Sequence, residues 1–149
     1  MTTFNLSGGD KLERALEEIA AKVARPATLR VGFLEGATYP DGTSVAMVAA
    51  LLNFGISNGK AWPFFSKMIA EKAPGWGETL AGLLQKNNYD VAMSLEQMGT
   101  GIAGQLRQAI VDMNEPKLDQ STIDRKGFDK PLVDTGHMLN SVDYEVSGE

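Results

Sequence analysis

Residues Gly99-Thr100-Gly101-Ile102-Ala103-Gly104 have the spacing G-x-G-x-x-G. In a strand-to-helix turn this pattern lays backbone amides on the pyrophosphate of a dinucleotide. That chemistry needs an apolar strand before the first glycine and a helix opening after it. Here a helical apolar period runs straight through the motif, from Val91, Leu95 and Met98 to Ile102, Leu106 and Ile110. The expected role is therefore structural: small residues that let a helix approach its neighbour closely, or a local weakness that allows a kink. Each glycine costs a helix about 1 kcal/mol relative to alanine.

His137 is the sole histidine, so a histidine metal site or a Ser-His-Asp triad would rest on it alone. Asp134 and Thr135 lie close by, but no nucleophile elbow or oxyanion glycine run accompanies them. A surface or helix-capping role is expected for His137. The 19 acidic residues show no Asp-x-Asp or Glu-x-x-His spacing that would mark a metal site or a paired-carboxylate hydrolase. With no cysteine, thiolate ligands, cysteine nucleophiles and disulfides are excluded. No catalytic residue, metal ligand or cofactor is assigned, and the chain is not expected to be an enzyme. Trp62, Phe64, Phe65 and Trp76 form an aromatic group read first as core anchors. The alternative is that part of it is buried between subunits, since aromatics are enriched in interface cores.

A length of 149 residues suits one domain, and 43% hydrophobic with 22% charged residues is ordinary for a folded chain. Flexible ends are expected at residues 1–8 and 147–149. No basic-then-apolar leader opens the chain, and no window reaches the 18 or so apolar residues of a membrane span. Synthesis and folding in a cytosol are expected, with no membrane partner. A net charge of −5 argues against gripping nucleic acid, which needs clustered Lys and Arg. Inside a larger assembly an acidic subunit is expected to line a passage through which DNA slides as passing cargo, not to grip it.

The periodicity predicts an amphipathic helix over residues 10–24, with Asp10 and Glu13 as a capping box. A strand follows over 28–34, where Leu29, Val31 and Phe33 alternate with Thr28, Arg30 and Gly32. Pro40-Asp41-Gly42 makes a turn. Thr43 or Ser44 then caps a helix whose interior, VAMVAALL, is apolar nearly all round and must be buried in this core or against a partner. Gly55 stops it. Pro63 opens a further helix to about residue 73, Pro74-Gly75 interrupts, and another helix runs over 76–86. The long helix occupies 91–113, about 35 Å. Residues 114–130 turn polar, with a short helix near 121–125, and a second strand spans 142–146, expected to pair with 28–34. The fold class is α+β: several helices, including one long helix, packed on a small mainly antiparallel sheet. Two strands are marginal alone, so either further strands lie between residues 36 and 63 or the sheet is completed across subunits.

Ala61-Trp62-Pro63-Phe64-Phe65 and the block from Pro131 to Val142, PLVDTGHMLNSV, resemble the neck and tail-completion proteins of tailed phages, the family of the HK97 tail component at the head-tail junction. The shared order adds the opening helix, the VGFLEG strand, the Tyr-Pro-Asp-Gly loop, the helix ending Asn-Phe-Gly, the long helix and the Arg-Lys-Gly step at 125–127. Trp62 stands where the family pattern carries arginine, so no contact through that arginine is carried over. The resemblance implies a structural virion subunit of the neck or tail, a homo-oligomeric ring (hexamer or dodecamer) between the connector or portal side and the tail terminator or tail tube. Head completion or another minor tail role is the near alternative. A regulatory module that binds a host protein and a nucleotide-binding enzyme are the alternatives of other classes. Interface residues are expected at Tyr39, Pro40 and Asp41, at Phe54, Trp62, Pro63, Phe64 and Phe65, and at Asp134, Thr135 and Gly136. Asp134 or Thr135 is expected to cap a short helix through Ser141.

Overall fold

The apolar period that passes through the glycine motif forms one unbroken helix, α4 (Val91–Asp112), in a computed structural model that describes residues 8–55, 61–113 and 136–148. Asp90 starts it, its carboxylate accepting from the Met93 amide at 3.0 Å. Leu95, Met98, Gly99, Ile102, Ala103, Leu106 and Ile110 are buried along one stripe, so the helix does not end or restart at the glycines. Its 22 residues span about 33 Å.

A two-stranded sheet lies on α4. Strand β1 (Ala27–Phe33) pairs antiparallel with β2 (Val142–Gly148), matching Phe33 with Val142, Val31 with Tyr144 and Leu29 with Val146. This is the expected pairing, extended at its far end, where Ser147 and Gly148 pair with Thr28 and Ala27. Alternation turns Leu29, Val31, Phe33, Val142 and Tyr144 to one face and Arg30 and Glu145 to the other. The Arg30–Glu145 ion pair, 2.9 Å with both side chains about two-thirds exposed, adds little stability. Side chains of α4 hold β2 in place. Arg107 donates to the Val142 carbonyl at 2.8 Å, and the Tyr144 hydroxyl donates to the Glu96 carboxylate at 2.8 Å. Among the described residues the sheet has no third strand; between 36 and 63 there is an isolated bridge, Thr38 with Ser44.

Helix α2 (Val45–Phe54) is capped by Ser44, whose hydroxyl accepts from the Met47 amide, and is closed by Gly55 at φ 70°. It buries Val45, Ala49 and Asn53 only, so the helix that the sequence required to be covered leaves Met47 54% and Phe54 67% exposed. Helix α3 (Phe64–Lys86) corrects the expectation of two helices: it runs through Pro74 without interruption. Proline removes one backbone donor, and its ring needs room on the preceding turn. Pro74 is exposed, and packing on both sides carries the helix across, with Met68 buried in the core before it and the Trp76 indole donating to Gln105 of α4 at 2.8 Å after it.

Helix α1 (Gly9–Val23) begins one residue earlier than expected, after Gly8 at φ 90°, and no side chain caps it. Asp10 is therefore inside the first turn and the capping box does not form. Helix α5 (His137–Asn140) is one short turn leading into β2. The core is Val45, Trp62, Phe64, Met68, Leu106, Ile110, Met138 and Val142, contributed by helices, sheet and the 61–63 connection. The helix expected near 121–125 and the 125–127 step lie outside the described residues.

Candidate assembly surfaces

Tyr39, Pro40 and Asp41 form a tight turn: the Gly42 amide donates to the Tyr39 carbonyl at 2.8 Å across it, Gly42 stands at φ 90°, and the Asp41 carboxylate accepts from the Thr43 amide at 2.9 Å. That amide bond holds the Asp41 carboxyl below its ordinary value of 3.8. The C-terminal block comes to the same place. The Tyr39 and His137 rings lie 5.0 Å apart, and His137 Nε2 donates to the Thr38 carbonyl at 2.6 Å. A carbonyl has no proton to give, so the hydrogen is on Nε2. His137 is thus a pin between loop and α5, in keeping with the capping or surface role read from the sequence. Gly136 takes φ 71° at the start of α5, a conformation that favours glycine. Asp134 and Thr135 lie outside the described residues.

The aromatic group divides. Trp62 and Phe64 are buried core anchors; Phe64 meets Phe33 edge-on at 6.3 Å. Phe54 and Phe65 stay at the surface, where with Gly32, Ala46 and Ala50 they line an apolar cleft of about 260 Å³. Pro63 is exposed at the start of α3. Beneath this cleft is Asn53, 5% exposed, which the sequence reading treated only as part of a helix stop. Its Oδ1 accepts from the amides of Phe65 and Ser66, each at 3.1 Å, and its Nδ2 donates to the Ser66 hydroxyl at 2.7 Å. Pro63 offers no capping side chain to α3, and Asn53 supplies that function from the end of α2. A lone amide side chain closing an otherwise apolar helix was the available signal.

A second apolar groove, about 360 Å³, runs between β1 and α3 over α4. Leu29 and Val31 form one wall, Ile69, Trp76 and Leu80 the other, and Met98 and Ile102 the floor. None of the residues of α1 is buried: Leu12 is 62% and Leu16 57% exposed. Helical periodicity identified that apolar stripe but not that it stays unburied among the described residues.

Among the described residues no cluster of three or more His, Asp and Glu side chains could hold a metal ion, and no helix is long and apolar enough to cross a membrane. The Gly99–Gly104 motif lies within a helix, where its amides are spent on helical bonds instead of facing a phosphate. The chain matches no family model, no curated protein and no solved structure.

Proposed function

We propose that this chain is a structural subunit of a tailed-phage virion at the head-tail junction, completing the neck or tail as a homo-oligomeric ring, hexamer or dodecamer. Its neighbours in this reading are the connector or portal on one side and the tail terminator or tail tube on the other. The observation that carries the proposal is the order of the family-like blocks. The strand VGFLEG, the Tyr-Pro-Asp-Gly loop, the Asn-Phe-Gly helix end, the long helix and the closing Leu-x-Asp-Thr-Gly-x-x-x-x-Ser segment follow one another along the chain. Their packing supports it: the first block and the strand after the last pair as β1 and β2, and the loop meets the last block at Tyr39 and His137.

Three features suit assembly. The sheet stops at two strands among the described residues, and Phe54 and Met47 are exposed on a helix otherwise made for burial. Helix α1 presents a leucine stripe to solvent. Apolar surface left uncovered in a subunit is characteristic of chains that complete their burial on partners. The chain's net charge of −5 fits a wall past which DNA slides without being held. Mass spectrometry of purified particles tests the proposal: the chain should be present in fixed ratio to portal protein. Particles that lack it would sink the reading.

A further inference from the structure

We infer that α1 is a conditional helix, which melts from its Gly9 end and re-forms while the domain behind it stays folded. From Gly8 to Thr28 every residue is exposed except Ile19, which is half-buried. Leu12, Leu16 and Val23, the apolar side chains that would hold the helix down, are 62%, 57% and 45% exposed. Among the described residues its one hydrogen bond to the rest of the chain is Lys22 Nζ donating to the Asn88 carbonyl at 3.0 Å, and that bond is open to water.

Left to its own propensity, a helix of this length is close to balance. Nucleating the first turn carries a factor of about 10⁻³, and propagation at about 1–1.6 per residue recovers it only over about 12–15 residues. Helix α1 has 15. Leu, Glu, Lys, Arg and Ala fill most of it, and Asp10–Arg14 and Glu18–Lys22 place an acid four residues ahead of a base, all of which favours helix. Against this, Gly9 is the first helical residue and Gly8 before it supplies no capping side chain, so the first amides are left to water. Glu13 and Glu17 repel one another at the same four-residue spacing. These opposing effects leave a helix that is formed part of the time.

The two ends differ. Lys22 lies in the last turn, where its charge suits the helix dipole and its amine reaches Asn88, and Ile19 is one turn away. The first turns, from Gly9 to Leu16, have neither a bond to the domain nor a half-buried side chain. Opening therefore starts at Gly9 and runs toward Val23. The link Ala24-Arg25-Pro26 is exposed, and beyond it Ala27 and Thr28 are held by pairing with Gly148 and Ser147, so α1 opens without disturbing the sheet. Helix α4 is the opposite case: Leu106 and Ile110 have no exposed surface, and its amides open only when the core does. As a helix the arm is about 22 Å long, and fully extended its 15 residues reach about 50 Å. An arm of this kind makes first contact at a distance and becomes ordered as its apolar stripe is covered. The device belongs to the chain itself and does not depend on a place in a virion.

Hydrogen exchange followed by NMR on the full chain tests it. Amides of Glu13 to Glu18 should exchange within about tenfold of the unprotected rate, and those of Ile19 to Val23 more slowly than these. Those of Leu95 to Ile110 should be protected at least about a thousandfold. Ala15→Pro, which breaks α1 at its middle, and Leu16→Ala, which removes the centre of its stripe, should both leave the urea midpoint of the domain unchanged. Either of two results overturns the inference: α1 amides as slow as those of α4, or a midpoint that falls with either variant. Both would mean that α1 is packed into the domain and unfolds with it.

Discussion

Replacing Asn53 with alanine removes the side chain that starts α3. In the structure it makes three hydrogen bonds, two accepted from the Phe65 and Ser66 amides at 3.1 Å and one donated to the Ser66 hydroxyl at 2.7 Å. A neutral bond contributes about 0.5–1.5 kcal/mol net, and loss of a helix cap about 1 kcal/mol. At 5% exposure little water reaches the orphaned amides, although the Ser66 hydroxyl can turn to the solvent on its own side. The expected loss is about 2–3 kcal/mol, or a fall in Tm of roughly 5–10 °C for a domain of this size. Urea unfolding followed by circular dichroism measures it. Asn53→Asp keeps the acceptor and puts negative charge at a helix N-terminus, while the Ser66 hydroxyl can donate in place of accepting. It should lose less than about 1 kcal/mol, the scale of one neutral bond. An alanine variant within about 0.5 kcal/mol of the parent, the scatter of ordinary surface changes, would refute the reasoning, as would an aspartate variant as damaged as the alanine.

The three motif glycines should separate by environment. A Cβ at Gly99 would lie 2.4 Å from Tyr144 Cδ2 and 2.8 Å from Leu29 Cδ1, and the Tyr144 ring is tied down through its hydroxyl, so Gly99→Ala should destabilise by about 1–2 kcal/mol despite its better helix propensity. Gly101→Ala and Gly104→Ala, with nothing within 4 Å, should each stabilise by up to about 1 kcal/mol in the same urea assay. Pro74→Ala restores a donor inside an exposed helix and should raise thermal stability, by about 1–3 kcal/mol. The Asp41 carboxyl should titrate by NMR below 3.8, the Thr43 amide bond being its cause. A depressed folded value means that its contribution is present above the unfolded value and lost as pH falls through the folded one, so any effect on the turn appears only in strong acid.

Much of the scaffold was legible because period and punctuation agreed. The stripe from Val91 to Ile110, the alternation in both strands, Gly55 at its left-handed position and the turn at Pro40-Asp41-Gly42 each follow from local chemistry, and the structure has all four. Pro74-Gly75 misled because local helix breaking was weighed without the packing of Met68 and Trp76 on either side. The Asp10 capping box failed for a smaller reason: Gly8 reaches a left-handed conformation and lets the helix start early. Asn53 went unseen because its partners, the Phe65 and Ser66 amides, become orphan donors only once Pro63 begins a helix. The expected interface residues were sorted by depth, which sequence does not give: Trp62 and Phe64 went inside, while Phe54, Pro40 and Asp41 stayed out.

Electron microscopy of the neck in intact particles, at a resolution that counts subunits, bears most directly on the proposed role. The account predicts a closed ring of this chain between portal and tail tube. A neck whose density is fully explained by other chains would contradict it.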